Sequence, residues 1–260
     1  MIGIVGVRCS VEPCFRPPVE ETLLVGEMCR RAIMSQYGKA HGGAVSPVLS
    51  GKDQSGKVLS GHQHAFYLAD DGDGDGLIDT VFVYSVRGFN SLEIDAIARV
   101  REVYLGHYCE PMELRLSGVA NMENTAQLGR IFGPSRVWIS AVPYVMTRHP
   151  KRTRAGETKL TKNGRQQDGP EEQIAREWDQ RVHDNCSLPL LIDMQLLGAT
   201  ASRRVYRIVR AYGNAPDPVK RAFKFKLMFD GPLMGPVALG YACHFGLGLF
   251  VPETATSPLP

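Results

Sequence analysis

The chain has 260 residues, room for one large domain or two of about 100–150 each, and with 43% hydrophobic and 22% charged residues it has the make-up of an ordinary globular protein. Its apolar runs fall far short of the ~20 residues of a membrane helix, Met1–Val7 lacks the basic start and small-residue cleavage site of a signal peptide, and six scattered cysteines without a Cys-x-x-Cys pair exclude a zinc ribbon and predict reduced thiols in the cytoplasm. A net charge of +3 conceals an excess of four acids over residues 1–130 and of seven bases over 131–260, the split expected when one part of a protein faces a polyanion.

In chain order, the apolar, β-branched stretch Ile2–Val7 predicts a strand. Pro17–Pro18 opens a helix with Glu20 and Glu21 near its positive end; Leu24, Met28 and Ala32 recur at helical spacing, and Gly38 is the predicted stop. Lys39–Gly61, with its glycines and weak periodicity, reads as a loop. His64–Ala69 and Leu77–Ser85 read as strands joined by an Asp/Gly turn. Asn90 or Ser91 caps a second helix, and Met112–Leu116 alternates as a strand does. Strand, helix, hairpin, helix, strand is the ferredoxin-like βαββαβ order. Arg136–Val142, helix Glu171–Arg181, Leu190–Leu197, Phe223–Phe229 and a glycine-containing strand over Tyr241–Phe250 predict a second, decorated unit. The expected fold is therefore α+β, two ferredoxin-like (RRM-like) domains with antiparallel sheets over 1–120 and 134–255, the second containing a C-terminal glycine-rich loop.

Four constellations could carry chemistry. In Gly61-His62-Gln63-His64, histidines two apart on a strand would share a face, where they could divide acid and base work near neutral pH or ligate a metal. Asp71, Asp73, Asp75, Gly76 and Asp79 fit positions 1, 3, 5, 6 and 9 of a calcium loop, but Phe82 stands where position 12 needs a bidentate Glu. An acidic hairpin tip is the simpler reading, and a calcium-binding module the lesser alternative. Arg148–Arg165 (including Arg148, Lys151, Arg152, Arg154 and Lys159) and Arg203–Lys226 (including Arg203, Arg204, Arg207, Lys224 and Lys226) are basic, the second interleaved with aromatics. Such segments suit phosphate tracking and base stacking on RNA, and the first is expected to order on its partner. Finally, Gly235, Gly240, Gly246 and Gly248 allow the backbone to approach a phosphate or another strand closely.

The string Ser50-Gly51-Lys52-Asp53, Gly61-His62-Gln63-His64-Ala65-Phe66-Tyr67-Leu68 with its acidic hairpin, and the tail Gly235-Pro236 through Leu249-Phe250 resemble the type I-G (formerly I-U) CRISPR-associated repeat-RNA-processing subunit of the RAMP superfamily. Thr80 stands where that family is expected to carry a histidine. Members often have a further RAMP domain in front, so the chain is expected to be a separate subunit or a C-terminal endoribonuclease part. The resemblance implies cleavage of precursor CRISPR RNA within its repeats by attack of a ribose 2′-OH, without metal or cofactor. It also implies binding of the repeat hairpin and mature guide RNA and association with other type I effector subunits, away from membranes. His62 or His64 would be the base, with His244 a third candidate, and Arg30, Arg31 and Tyr37 phosphate or acid partners. A non-catalytic RNA-binding subunit is the alternative.

Overall fold

A computed structural model of the chain describes residues 4–59, 61–162, 164–199, 206–211 and 221–253. It divides into two compact units. The first contains residues 4–129 together with 206–211 and His244–Gly246; the second contains the described residues of 130–199, 221–243 and 247–253.

In the first unit, β1 (Ile4–Val11), α1 (Thr22–Ala40), α2 (Pro47–Ser50), β2 (Phe66–Asp70), β3 (Thr80–Phe89), α3 (Ser91–Ala98), β4 (Glu102–Val103) and β5 (Met112–Asn121) follow one another. The sheet order is β2-β3-β1-β5-β4, with every pairing antiparallel. Without the two-residue edge strand β4, this is the ferredoxin-like order. Strand β1 is central in the sheet, and its alternate residues Val5, Val7, Cys9 and Val11, which share one face, are buried. Asn90 begins α3 with a capping box, exchanging hydrogen bonds with Glu93. Helix α1 runs past the predicted stop at Gly38, whose carbonyl accepts from the backbone N–H groups of His41 (3.2 Å) and Gly43 (2.8 Å). The expected loop also contains α2, capped by Ser46, whose hydroxyl accepts from Leu49 N at 3.2 Å and donates to buried Glu93 at 2.5 Å. Four residues are too few to show periodicity, so the sequence could signal α2 only through Ser46-Pro47.

The second unit repeats the order. Strands β6 (Pro134–Ser140), β7 (Tyr144–Val145), helix α4 (Pro170–Asp184), β8 (Leu191–Ala199), β9 (Ala222–Met234), β10 (Val237–Ala238) and β11 (Leu249–Pro252) form a sheet in which β8 pairs β9, β9 pairs β6 and β6 pairs β11. Trp138, Phe225, Leu227, Phe229 and Phe250 from these strands bury against Ile174 and Trp178 of α4. Between β9 and the last strand there is a 3-10 turn, Cys243–Phe245, rather than a second long helix. The predicted strand over Tyr241–Phe250 is also absent except at its end. Gly240 (φ +88°) and Gly248 (φ +62°) are in the left-handed region, and a Cβ on Gly248 would collide with the Leu239 carbonyl, so the backbone turns where a strand would run straight.

Within the first unit, one glycine sets the packing of α1. A Cβ on Gly26 would lie 2.8 Å from the carbonyl oxygens of both Tyr67 in β2 and Phe245. These are backbone atoms fixed by the sheet and the 3-10 turn. Gly26→Ala is therefore expected to lower stability by about 1–3 kcal/mol, the usual cost of overpacking, despite alanine's better helix propensity; a lower thermal midpoint would show it.

Candidate active site

His62, His64 and His244 come together in the first unit. The two early histidines are not on a strand: they precede β2, which begins at Phe66, and His62 follows Gly61 into the left-handed region (φ 52°). Their shared location therefore does not arise from strand alternation. It is made by His244 of the 3-10 turn. The His244 ring stacks on His64 with centroids 3.7 Å apart and 9° between planes, and on Phe66 at 3.9 Å. Its Nε2 lies 2.9 Å from His62 Nδ1, and its Nδ1 lies 3.2 Å from the carbonyl oxygen of Ala65.

The three rings have different surroundings. His64 is tucked against Gly51, where a Cβ would approach its ring to 2.8 Å, and its buried Nδ1 has no hydrogen-bond partner. Burial first, then the positive charge of His62 and Arg30, lowers its pKa to about 4. It is neutral at physiological pH. Arg30 of α1 donates to the carbonyl of Ser50, and burial pulls its own pKa down. Nearby, Arg210 pairs with buried Glu27 at 2.5 Å and lies 4.8 Å above the Phe245 ring, while Ala211 N donates to the other Glu27 oxygen at 2.8 Å. Sequence reading missed Glu27, an acid among the buried positions of α1, and its partner Arg210.

The other candidates are distributed more widely. Tyr37 is two helical turns beyond Arg30, about 10 Å along the axis and on the same side, with its ring packed on His41 at 4.6 Å. Arg31 is exposed on the adjoining side. Arg207 is held by Glu21, Nε to Oε2 at 2.7 Å, so its charge is balanced within the unit. Arg203 and Arg204 lie outside the described residues. The basic stretch Arg203–Lys226 is thus not one surface. Its residues 206–211 belong to the first unit, whereas Lys224 and Lys226 alternate with buried Phe225 on β9 of the second. Lys226 also pairs with Glu253 at 2.8 Å.

Arg148, Lys151, Arg152, Arg154 and Lys159 are exposed in the second unit. Rather than an irregular loop, their segment forms two short hairpins, with bridges Arg152↔Thr158 and Leu160↔Gln166. Each closes through a Thr-x-x-Gly turn: Thr153 N donates to Glu157 O and Gly156 N to Thr153 O, and Thr161, Arg165 and Gly164 repeat the pattern. A third such turn, Asp53-Gln54-Ser55-Gly56, lies in the first unit. Local turn chemistry, an Asp or Thr followed three residues later by Gly, shapes these turns. Lys151 also reaches Asp168 at 3.3 Å. Of the tail glycines, Gly235 and Gly240 meet side chains and backbone of the second unit, and Gly246 meets Thr22 of α1; they pack against protein.

The acidic hairpin is satisfied by the protein itself. Asp79 accepts from Arg16 at 2.5 Å and from Gly72 N at 2.7 Å; Asp71 accepts from the N–H groups of Gly74 and Gly76, and Asp75 from Arg16 and Leu77 N. The Arg16 guanidinium ties Asp75 to Asp79, while carboxylate oxygens of Asp71, Asp73 and Asp79 lie within 4.8 Å of one another.

No protein-family model and no curated protein matches the chain. Among solved structures it is similar over nearly its whole length to "Crystal structure of Cas6b" (TM-score 0.50, 10% identity, covering 96% of this chain and 99% of that one). The chain shares the fold of Cas6b. Other similar structures are "Characterization of a Cas6-related gene from Pyrococcus furiosus" (TM-score 0.49, 12% identity, 96% and 99% covered) and "CRISPR associated protein Cas6" (0.46, 11%, 97% and 99%). The architecture expected from sequence, α+β with antiparallel ferredoxin-like sheets, is the one found. Among the described residues, no helix is long and apolar enough to cross a membrane.

Two outcomes follow from these environments. Between pH 6.5 and about 4 the unfolded chain takes up a proton at position 64 that the folded chain refuses, so stability is fully present above pH 6.5 and declines towards pH 4. Allowing for the ring's partial exposure, the loss is about 2 kcal/mol. His64→Phe, which keeps an aromatic stack without titrating, should flatten that part of the melting profile. Calcium should leave the wild-type melting temperature unchanged, whereas Arg16→Ala should lower it, both read by thermal melts.

Proposed function

We propose that the chain is a CRISPR-associated endoribonuclease of the type I-G kind that binds the repeat of precursor CRISPR RNA and cleaves it to the mature guide. In this reading it works with other subunits of a type I effector complex. The observation that carries the reading is the histidine trio seated in a Cas6b-like fold. In the reaction, a base removes the proton of a ribose 2′-OH, O2′ forms a bond to the adjacent phosphorus, and the O5′ bond breaks with a proton delivered to the leaving oxygen. The products are a 2′,3′-cyclic phosphate and a 5′-hydroxyl. No metal is required for any of these steps, since a neutral imidazole can serve as the base.

His62 is the base. His64 is half-buried and held near pKa 4 by desolvation, so its lone pair is a weak proton acceptor at neutral pH, whereas His62 sits in a left-handed turn ahead of β2. Arg30 contributes positive charge beside the histidines for the crowded phosphate. The exposed bases of the double hairpin, Lys151, Arg152 and Arg154, supply affinity through backbone phosphates.

Labelled repeat RNA incubated with the chain in EDTA should be cut once per repeat, leaving a cyclic phosphate. His62→Ala should reduce the cleavage rate by ~10²–10⁴-fold while RNA affinity holds. Replacing Lys151, Arg152 and Arg154 by alanine should weaken binding and lower the slope of log affinity against log salt by ~0.7 per lost phosphate contact. Cleavage by His62→Ala at the wild-type rate would remove His62 from the reaction. Tight binding without cleavage by the wild-type chain would make this a guide-binding subunit instead.

A further inference from the structure

We propose that His244 is a positioning residue that holds His62 in the Nδ1–H tautomer, so that the His62 lone pair lies on Nε2. The assignment follows from a chain of donors and acceptors that begins at a backbone carbonyl. The oxygen of Ala65 can only accept a hydrogen bond, and His244 Nδ1 lies 3.2 Å from it, so this nitrogen carries the proton. In a neutral ring the lone pair of His244 is then on Nε2. That atom is 2.9 Å from His62 Nδ1, and the contact is a hydrogen bond when His62 Nδ1 donates. His62 thereby keeps its single proton on Nδ1. The tautomer of a histidine is set by the bond its other nitrogen makes, and here that partner is a second histidine whose own tautomer is set by the main chain.

Stacking keeps the relay in place. His244 lies between His64 at 3.7 Å and Phe66 at 3.9 Å, both rings nearly parallel to it, so its plane and hence the direction of its Nε2 are fixed. The ionisable groups around the pair include the Cys243 thiol, its Sγ within 4.8 Å of a ring nitrogen of each, and His64, which in turn feels Arg30 of α1.

The consequence for reaction rests on the reading that His62 is the base. When Nε2 of His62 takes the 2′-OH proton, the ring becomes a cation, and the Nδ1–H bond to His244 turns from neutral to charge-assisted. His244 therefore stabilises the state in which the proton has been transferred more than the state before it, and raises the basicity of His62.

The test has a spectroscopic arm and a kinetic arm. With histidine-selective ¹⁵N labelling of the full chain, long-range ¹H–¹⁵N correlations at pH 8 should show, for both His62 and His244, a protonated Nδ1 and an unprotonated Nε2. His244→Phe keeps a ring in the stack but cannot accept; it should release the His62 tautomer, slow repeat cleavage about 10–100-fold, as loss of an orienting partner does, and move the rising limb of the pH–rate profile to lower pH. His244→Gln, whose side-chain oxygen can accept from His62, should recover part of the rate. Protonation of His62 on Nε2 in the wild-type chain overturns the assignment, as does a His244→Phe rate and pH profile equal to wild type in a chain that cleaves RNA. A wild-type chain with both Nδ1 atoms protonated that cleaves no repeat RNA supports the relay and overturns the nuclease reading alone.

Discussion

Helix α1 can lie against β2 and the Phe245 backbone only because position 26 has no side chain, and the candidate site follows from that approach. Two carbonyl oxygens, those of Tyr67 and Phe245, stand 2.8 Å from where a Cβ would be. The closeness brings a turn from near the end of the chain into the first unit, where His244 stacks between His64 and Phe66. The same approach puts Glu27, one residue further along the helix, next to Arg210, whose guanidinium covers the Phe245 ring. A glycine inside a helix costs roughly 1 kcal/mol of helix propensity. Here that cost is offset by two aromatic stacks and a buried, doubly hydrogen-bonded carboxylate.

Desolvation distinguishes residues that composition treats alike. His62 and His64 are two apart in sequence, yet one is in a left-handed turn and the other is pressed against Gly51 with an orphaned nitrogen and a pKa near 4. Burial penalises the imidazolium of His64, and the guanidinium of Arg30 adds to the penalty. The basic residues divide in a similar way. Arg207 and Arg210 are consumed by Glu21 and Glu27 within the first unit, whereas Arg148, Lys151, Arg152, Arg154 and Lys159 remain exposed on paired turns. A guanidinium clamped by a carboxylate carries little net field, so of these residues Arg148, Arg152, Arg154 and Lys159 keep the stronger one, while Lys151 shares its charge with Asp168.

The acidic hairpin, for which calcium binding is the lesser alternative, draws on donors of its own. Five acids and glycines at calcium-loop spacing say nothing about which donors already occupy the oxygens. Arg16, more than fifty residues away in sequence, and four backbone N–H groups of the hairpin take them up. The tail glycines behaved likewise. Their closest neighbours are carbonyls and side chains of the protein, so the freedom they provide is used for packing.

By itself the sequence determined the elements whose signal is local. The capping box of Asn90 and Glu93, the apolar period of α1, the hydrophobic β2 and β3 and the Asp/Gly turn between them all depend on residues within one or two turns of each other, and so did the ferredoxin-like order they imply. It also marked His62, His64 and His244 as residues to watch. Only the tertiary structure decided that the three meet, because the contact joins residues 182 apart and passes through a turn rather than along a strand. It alone made the His64 ring a weak base, since desolvation is a property of surroundings assembled from α1, the loop at Gly51 and the turn at Cys243–Phe245. Pattern along a chain reports which way a side chain faces in its own element; what it faces depends on close approaches, such as that at Gly26, between segments far apart in sequence.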